Sequence, residues 1–339
     1  MRSKIQSSAT WLLASVLNHR VLRLLAPAPL TILMYHGVVR TPMSIPDPCM
    51  IDVEDFEQQI RYLRQAFRVA SFSEAVAQIR EGGPAEPTVV VTFDDGYQSN
   101  FDLAFPILRR EGMPASIFLS TSFLDSDSTV WTGLLHHGFS NTDRDSISWR
   151  GSRFDLGSPA ARHQSLTAIK ERLKVESHET LGEEIEDLLF TLLGDRNAAI
   201  PADSPYRMLD TDSIRNMARS SLIEFGAHTH KHLILSRLPP ELQEGEIRRS
   251  IDIVESLTDA RCRYFAYPNG KRCDYDAHTL RILEETGIDA AITTECGTCD
   301  PNVRLLELRR IPVDSRAGFS SFKLSLYDVQ GRIRQMLPR

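Results

Sequence analysis

Apolar positions along this chain alternate between two periods. Leu30 to Tyr35, Val89-Val90-Val91-Thr92-Phe93 and 115–120 are near-continuous apolar runs of strand length, as expected for strands buried on both faces. Between them, Phe56, Ile60, Leu63 and Phe67 recur at helical spacing within 53–67, and further helical patterns occupy 72–79 and 101–110. Later strands are predicted at 222–227, 264–267, 290–293 and 306–313, and helices at 241–257 and 276–285, the second ended by Gly287. Strands alternating with helices predict a parallel sheet in the α/β class. This number of units favours closure into a distorted (β/α) TIM-like barrel of seven or eight strands, spanning 27–339.

The alternation breaks at about 122–206, which carries Trp131, Trp149 and two helical patterns near 160–175 and 179–193. This reads as a helical insertion over the face where barrel enzymes shape substrate access. Residues 1–26 hold Arg2, Lys4, Arg20 and Arg23 and no acid, with Ile5, Ala9, Leu12, Leu13, Val16 and Leu17 at helical spacing. They predict an N-terminal amphipathic helix, packed on the domain or making peripheral contact with an anionic membrane surface. The apolar run 11–17 is short for a signal peptide and is broken by Asn18-His19-Arg20, so secretion stays open. No stretch approaches the ~20 apolar residues of a membrane span, and the expected location is cytoplasmic or peripheral to the membrane.

Charged residues make up 25% and apolar ones 42% of the 339 residues, the balance of a globular enzyme. A net charge of −6, with no Lys/Arg block, argues against a nucleic-acid partner and would not steer a polyanion toward the protein. Five cysteines cannot form a complete disulfide framework. Cys296-Gly297-Thr298-Cys299 lacks the second close pair that a structural zinc needs, so it reads as two loop thiols, with a bridge between them left open.

The candidate chemistry sits at two strand ends. Asp94-Asp95-Gly96 follows Phe93 where its strand should leave the core. Adjacent carboxylates there repel and lose hydration, which is tolerable when a cation or proton lies between them; a solvated Asp-Gly turn is the alternative. The strand at 222–227 runs into His228-Thr229-His230-Lys231-His232. Imidazole suits zinc, and an aspartate oxygen completes a mixed nitrogen/oxygen set with an open position. One helical turn would align His228 with His232, whereas a continuing strand would align all three histidines; a solvated loop is also possible. His230 is the uncertain member.

Thr92-Phe93-Asp94-Asp95-Gly96, His228-Thr229-x-x-His232 and Phe265-Ala266-Tyr267-Pro268-Asn269-Gly270, in this order and separation, resemble the first three motifs of the polysaccharide deacetylases. This is carbohydrate esterase family four, the NodB-homology domain, and the similarity runs over roughly 30–315. The resemblance implies a metal-dependent hydrolase that removes N-acetyl groups from the amino sugars of a glycan, a surface or secreted polysaccharide. Asp94 is then the general base, and Asp95, His228 and His232 bind a divalent metal, zinc. The turn at Tyr267 and Asn269 supplies an oxyanion donor through the Asn269 amide. Tyr97 is a candidate to line the groove, with packing as its alternative. The net charge suits a neutral or cationic glycan.

The chain departs from the family pattern in three places. No histidine follows His278, so the usual C-terminal general acid is missing. Met34-Tyr35-His36-Gly37 resembles instead the circularly permuted branch with poly-N-acetylglucosamine deacetylases. In a closed barrel the first and last strands can be neighbours, so His36 can take the acid's place, a structural histidine being the alternative. Ala266 stands where the family often has an arginine that pairs with the base aspartate; Arg263 and Arg309 are candidates to replace it. No tryptophan follows Trp149, and Trp131 could fill an acetyl pocket or simply pack in a core. Hydrolysis of another small amide or an O-acetyl ester, or glycan binding without catalysis, are the rival functions.

Overall fold

The computed structural model describes residues 30–299 and 303–327. Seven parallel strands follow one another around a closed barrel: β1 (Leu30–Tyr35), β2 (Thr88–Phe93), β3 (Ala115–Leu119), β4 (Ile223–Ala227), β5 (Tyr264–Ala266), β6 (Ala290–Cys296) and β7 (Leu308–Pro312). Closure is made by β1, which pairs with β2 along its length and with β7 at Leu33↔Ile311 and Met34↔Pro312. The barrel is distorted where β2 meets β3 only at Thr92↔Ser116 and Phe93↔Ile117, the short strand Arg68–Val69 taking the other end of β2.

Strand alternation sorts the apolar residues into two layers. Leu30, Ile32, Val90, Phe118, Ile292 and Leu308 pack together with Phe72, Val76 and Ile79 of α2 (Phe72–Arg80) and fill the barrel. Leu33, Val91, Phe93, Ile117, Phe265 and Ile311 face outward onto the surrounding helices, among them α1 (Val53–Ala66). Burying each such side chain contributes roughly 1.5–3 kcal/mol, which holds the helical ring to the barrel. Gly226 is required inside: a Cβ there would lie 2.6 Å from the Phe118 ring and 2.7 Å from the Tyr264 carbonyl.

Two local features differ from the sequence expectation. The helix predicted at 101–110 begins as a π turn, Asn100–Ala104, before α3 (Phe105–Glu111). Pro106 has no N–H to continue a regular ladder, and the Phe105 N–H reaches back to the Asn100 carbonyl. The stretch after β1 carries a short parallel pair, Gly37–Val39 with Met50–Asp52, that the apolar pattern did not predict.

Between β3 and β4 the chain forms α4 (Trp131–Asn141), a hairpin (Ser146–Trp149 with Ser152–Asp155), α5 (Pro159–Leu173) and α6 (His178–Leu193). They share an apolar core of their own around Trp131, Phe139, Trp149, Leu166 and Leu188. The predicted helix at 1–26 lies outside the described residues. Among those described, no helix is long and apolar enough to cross a membrane.

Candidate active site

Both carboxylates follow directly from the end of β2. The Asp94 N–H extends the β1–β2 ladder to the Tyr35 carbonyl at 3.0 Å, so Asp94 keeps the inward phase of Val90 and Thr92. Asp95 then adopts a left-handed backbone, φ 70°, which turns the chain back at once. This reversal lets two consecutive carboxylates both serve the barrel mouth, where a continuing strand would send them to opposite faces.

His228 follows β4, its N–H bonded to the Leu119 carbonyl at 2.9 Å. Of the geometries the sequence allowed, the segment to His232 is a loop and neither a helix turn nor a strand, but its histidines are buried and not solvated: Thr229 and His232 are both left-handed, φ 62° and 56°. His228 Nδ1 donates to the Ala266 carbonyl at 2.7 Å, which leaves Nε2 as the atom facing Asp95. His228 Nε2 lies 3.5 Å and His232 Nε2 3.2 Å from the same oxygen, Asp95 Oδ1. All three side chains are buried, and the ligand atoms lie within 4.8 Å of one another. His230 turns away from the cluster: its Nδ1 shares a 3.0 Å hydrogen bond with Thr121 Oγ1, and burial, with Arg249 and Lys231, lowers its pKa to about 4.

These contacts fit a bound cation. Asp95 Oδ1 and His232 Nδ1 are buried without a hydrogen-bond partner. A tetrahedral ion with bonds of ~2.0–2.1 Å has ligand–ligand edges of ~3.4 Å, close to the two Asp95 separations. The electrostatics favour positive charge here. Burial pushes the Asp95 carboxyl up, but His232, His228 and His36 outweigh it and hold it well below the carboxylate range. Burial disfavours a charged His228, yet Asp95, Asp94 and the Ala266 carbonyl raise its pKa overall.

Asp94 has a separate partner that the sequence reading missed. Arg310, fully buried on β7, forks onto it with Nη1–Oδ1 at 2.7 Å and Nη2–Oδ2 at 2.6 Å. Its Nε donates to the Thr293 carbonyl at 2.8 Å, and Nη1 also reaches Thr92 Oγ1 at 3.3 Å. Burial raises the Asp94 pKa, but Arg310, then His228 and His36, bring it below the ordinary value. The expected replacements are placed otherwise. Arg263 is exposed and pairs with Asp289, and Arg309 is exposed on the outer phase of β7. Leu308 and Arg310 share the inward phase, so the alternation in Leu308-Arg309-Arg310-Ile311 was the signal available.

His36 leaves β1 between β7 and β2, near enough to Asp94 and Asp95 for its charge to lower both. The Asn100 side chain, set by the π turn, donates to the His36 carbonyl at 2.7 Å. Asn269 is left-handed, φ 56°, with its side-chain Nδ2 buried and unpartnered. Tyr267 has the outward phase of Phe265; its ring stacks on Tyr275 at 4.1 Å and its hydroxyl donates to the Leu306 carbonyl at 2.8 Å. That side chain is spent on packing, and only its main chain belongs to the turn. Tyr97 is buried among Val39, Val130, Tyr206 and Met208, and burial followed by the Asp95 charge pushes its hydroxyl up. Trp131 packs in the core of the segment between β3 and β4.

A family model for polysaccharide deacetylases matches residues 81–291. YxkH of Bacillus subtilis (strain 168), named as a candidate polysaccharide deacetylase, is 22% identical over 298 residues, covering 87% of this chain and 75% of its own length. Among solved structures, the Streptococcus pyogenes deacetylase PplD in complex with acetate gives a TM-score of 0.56 at 19% identity, over 92% of this chain and 100% of that one. IcaB from Ammonifex degensii gives 0.57 at 19% identity, over 89% and 97%. The structural relatives share the barrel, and the family model spans more than half of the 339 residues. This chain belongs to the polysaccharide deacetylase family.

Proposed function

We propose that this protein is a divalent-metal-dependent hydrolase that removes N-acetyl groups from amino sugars of a polysaccharide or oligosaccharide, releasing acetate and a free amine. One observation carries the reading. A buried, unpartnered Asp95 oxygen faces two imidazole nitrogens, beside an Asp94 gripped by a buried arginine. Membership of the family points to the substrate class, and a structural relative was solved with acetate, the acid this reaction would release.

Asp95, His228 and His232 would hold the ion, and zinc suits their donor set. When bound, it supplies Lewis acidity, polarising the acetamide carbonyl and lowering the pKa of water. Asp94 takes the proton of the attacking water, and Arg310 keeps this carboxylate ionised and aimed. The Asn269 amide, presented by its left-handed turn, donates to the developing oxyanion. His36 delivers a proton to the nitrogen as the carbon–nitrogen bond breaks, since an amine anion leaves poorly. The Tyr97 and Tyr267 side chains act as packing around the site rather than as contacts to the substrate. The segment between β3 and β4, joined to the barrel through Tyr97 and Tyr206, borders the site and shapes access.

The test is mass spectrometry across N-acetylated oligosaccharides, with and without a chelator. The expected result is the loss of one acetyl group, abolished by chelation. Asp94→Asn should stop turnover and keep the bound metal. Turnover that survives chelation, or that survives Asp94→Asn, would refute the assignment.

A further inference from the structure

We propose that Glu246 is a positioning residue for the metal site: from outside the cluster, its carboxylate holds the loop between His228 and His232 in the shape that aims both imidazoles at Asp95. The inference rests on the reading of those three residues as metal ligands.

The loop needs such a restraint. Thr229 and His232 both occupy the left-handed region, which side-chain-bearing residues adopt only when their surroundings impose it. One flank is held by the turn after β3. The Thr121 N–H donates to the Thr229 carbonyl at 3.3 Å, the Ser122 N–H to the His230 carbonyl at 2.8 Å, and Thr121 Oγ1 meets His230 Nδ1. These contacts satisfy the carbonyls and leave the N–H groups on the other flank.

Those N–H groups turn to α7 (Pro240–Thr258). The Lys231 N–H donates to Glu246 Oε2 at 2.7 Å, and the His230 N–H faces the same carboxylate. Glu246 is buried, 8% exposed. Its neighbour Ile247 and Val254 anchor the helix in the core, so the acceptor sits on a rigid element. A position needed only for packing would take an apolar residue and avoid desolvating a carboxylate. A carboxylate that accepts from Lys231, between the two ligands, fixes their relative direction, the task of an outer-shell partner.

The test measures zinc dissociation constants by competition with a chromophoric chelator, on the full chain and on E246Q and E246A. The unfolding midpoint of each chelated protein is recorded alongside. E246A should bind zinc about ten- to a hundredfold more weakly, while E246Q, which keeps an acceptor oxygen, stays within about threefold. Wild-type affinity in E246A, or equal losses in both variants, would overturn the proposal. If E246A does not fold, amide exchange in the chelated wild-type protein decides. Slow exchange at Lys231, comparable with α7, supports the restraint, and exchange at the rate of an open loop overturns it. A wild-type protein that binds no zinc would instead refute the metal reading, and the Lys231 exchange rate would still judge the restraint.

Discussion

Replacing Arg310 by methionine probes the least expected contact in the protein. The substitution preserves much of the side-chain volume but removes the two bonds to Asp94 and those to Thr293 and Thr92. Arg310 has no exposed surface and Asp94 is only 2% exposed, so water cannot replace the lost charge. Breaking such a buried pair costs about 3–5 kcal/mol, a large part of the ~5–15 kcal/mol that holds a domain together. Urea unfolding of the chelated protein should therefore show a lower midpoint at unchanged slope. Combining R310M with D94N leaves no stranded charge, so the double variant should recover about 2 kcal/mol or more relative to additivity. R263M is the control: its partner Asp289 lies in an exposed pair, for which ~0–1 kcal/mol is expected. Turnover of R310M should fall by about a hundredfold or more, because Asp94 loses its aim. A loss below about 1 kcal/mol with no coupling to Asp94 would refute a buried fork as the restraint on that carboxylate.

Three further outcomes are expected. H36A should lose about 10²–10⁴-fold on an acetamide and much less on an acetate ester, whose alkoxide leaves more easily; equal losses on the two would count against His36 as the acid. Zinc at about 100 times its dissociation constant should stabilise the protein by ~2.7 kcal/mol in thermal unfolding, and D95N should show no such shift if Asp95 is a ligand. His136 is buried beside Asp47 at 3.2 Å, and burial, only partly offset by Asp47, lowers its pKa to about 4. Because the unfolded chain takes up the proton first, stability should fall as pH drops from about 6.5 to 4, by up to about 3 kcal/mol. H136Q should flatten that window in urea titrations, and an unchanged pH dependence would show that His136 is not the group responsible.

The amino-acid sequence alone determined the barrel and the outline of its site. The first three barrel strands wrote their double-sided burial into local apolar runs, and Asp94, Asp95, His228 and His232 lie in short motifs whose spacing survives without coordinates. Closure of the sheet decided the rest. Only the pairing of β1 with β7 brings Arg310 onto Asp94, two residues 216 positions apart, and only the phase of β7 picks Arg310 over Arg309. Phase likewise turned Tyr267 outward to Tyr275, and left-handed residues gave the His228–His232 loop a shape that neither helix nor strand periodicity could announce. Periodicity records how much of a residue is buried. Which charge it meets there depends on neighbours that only the closed barrel supplies.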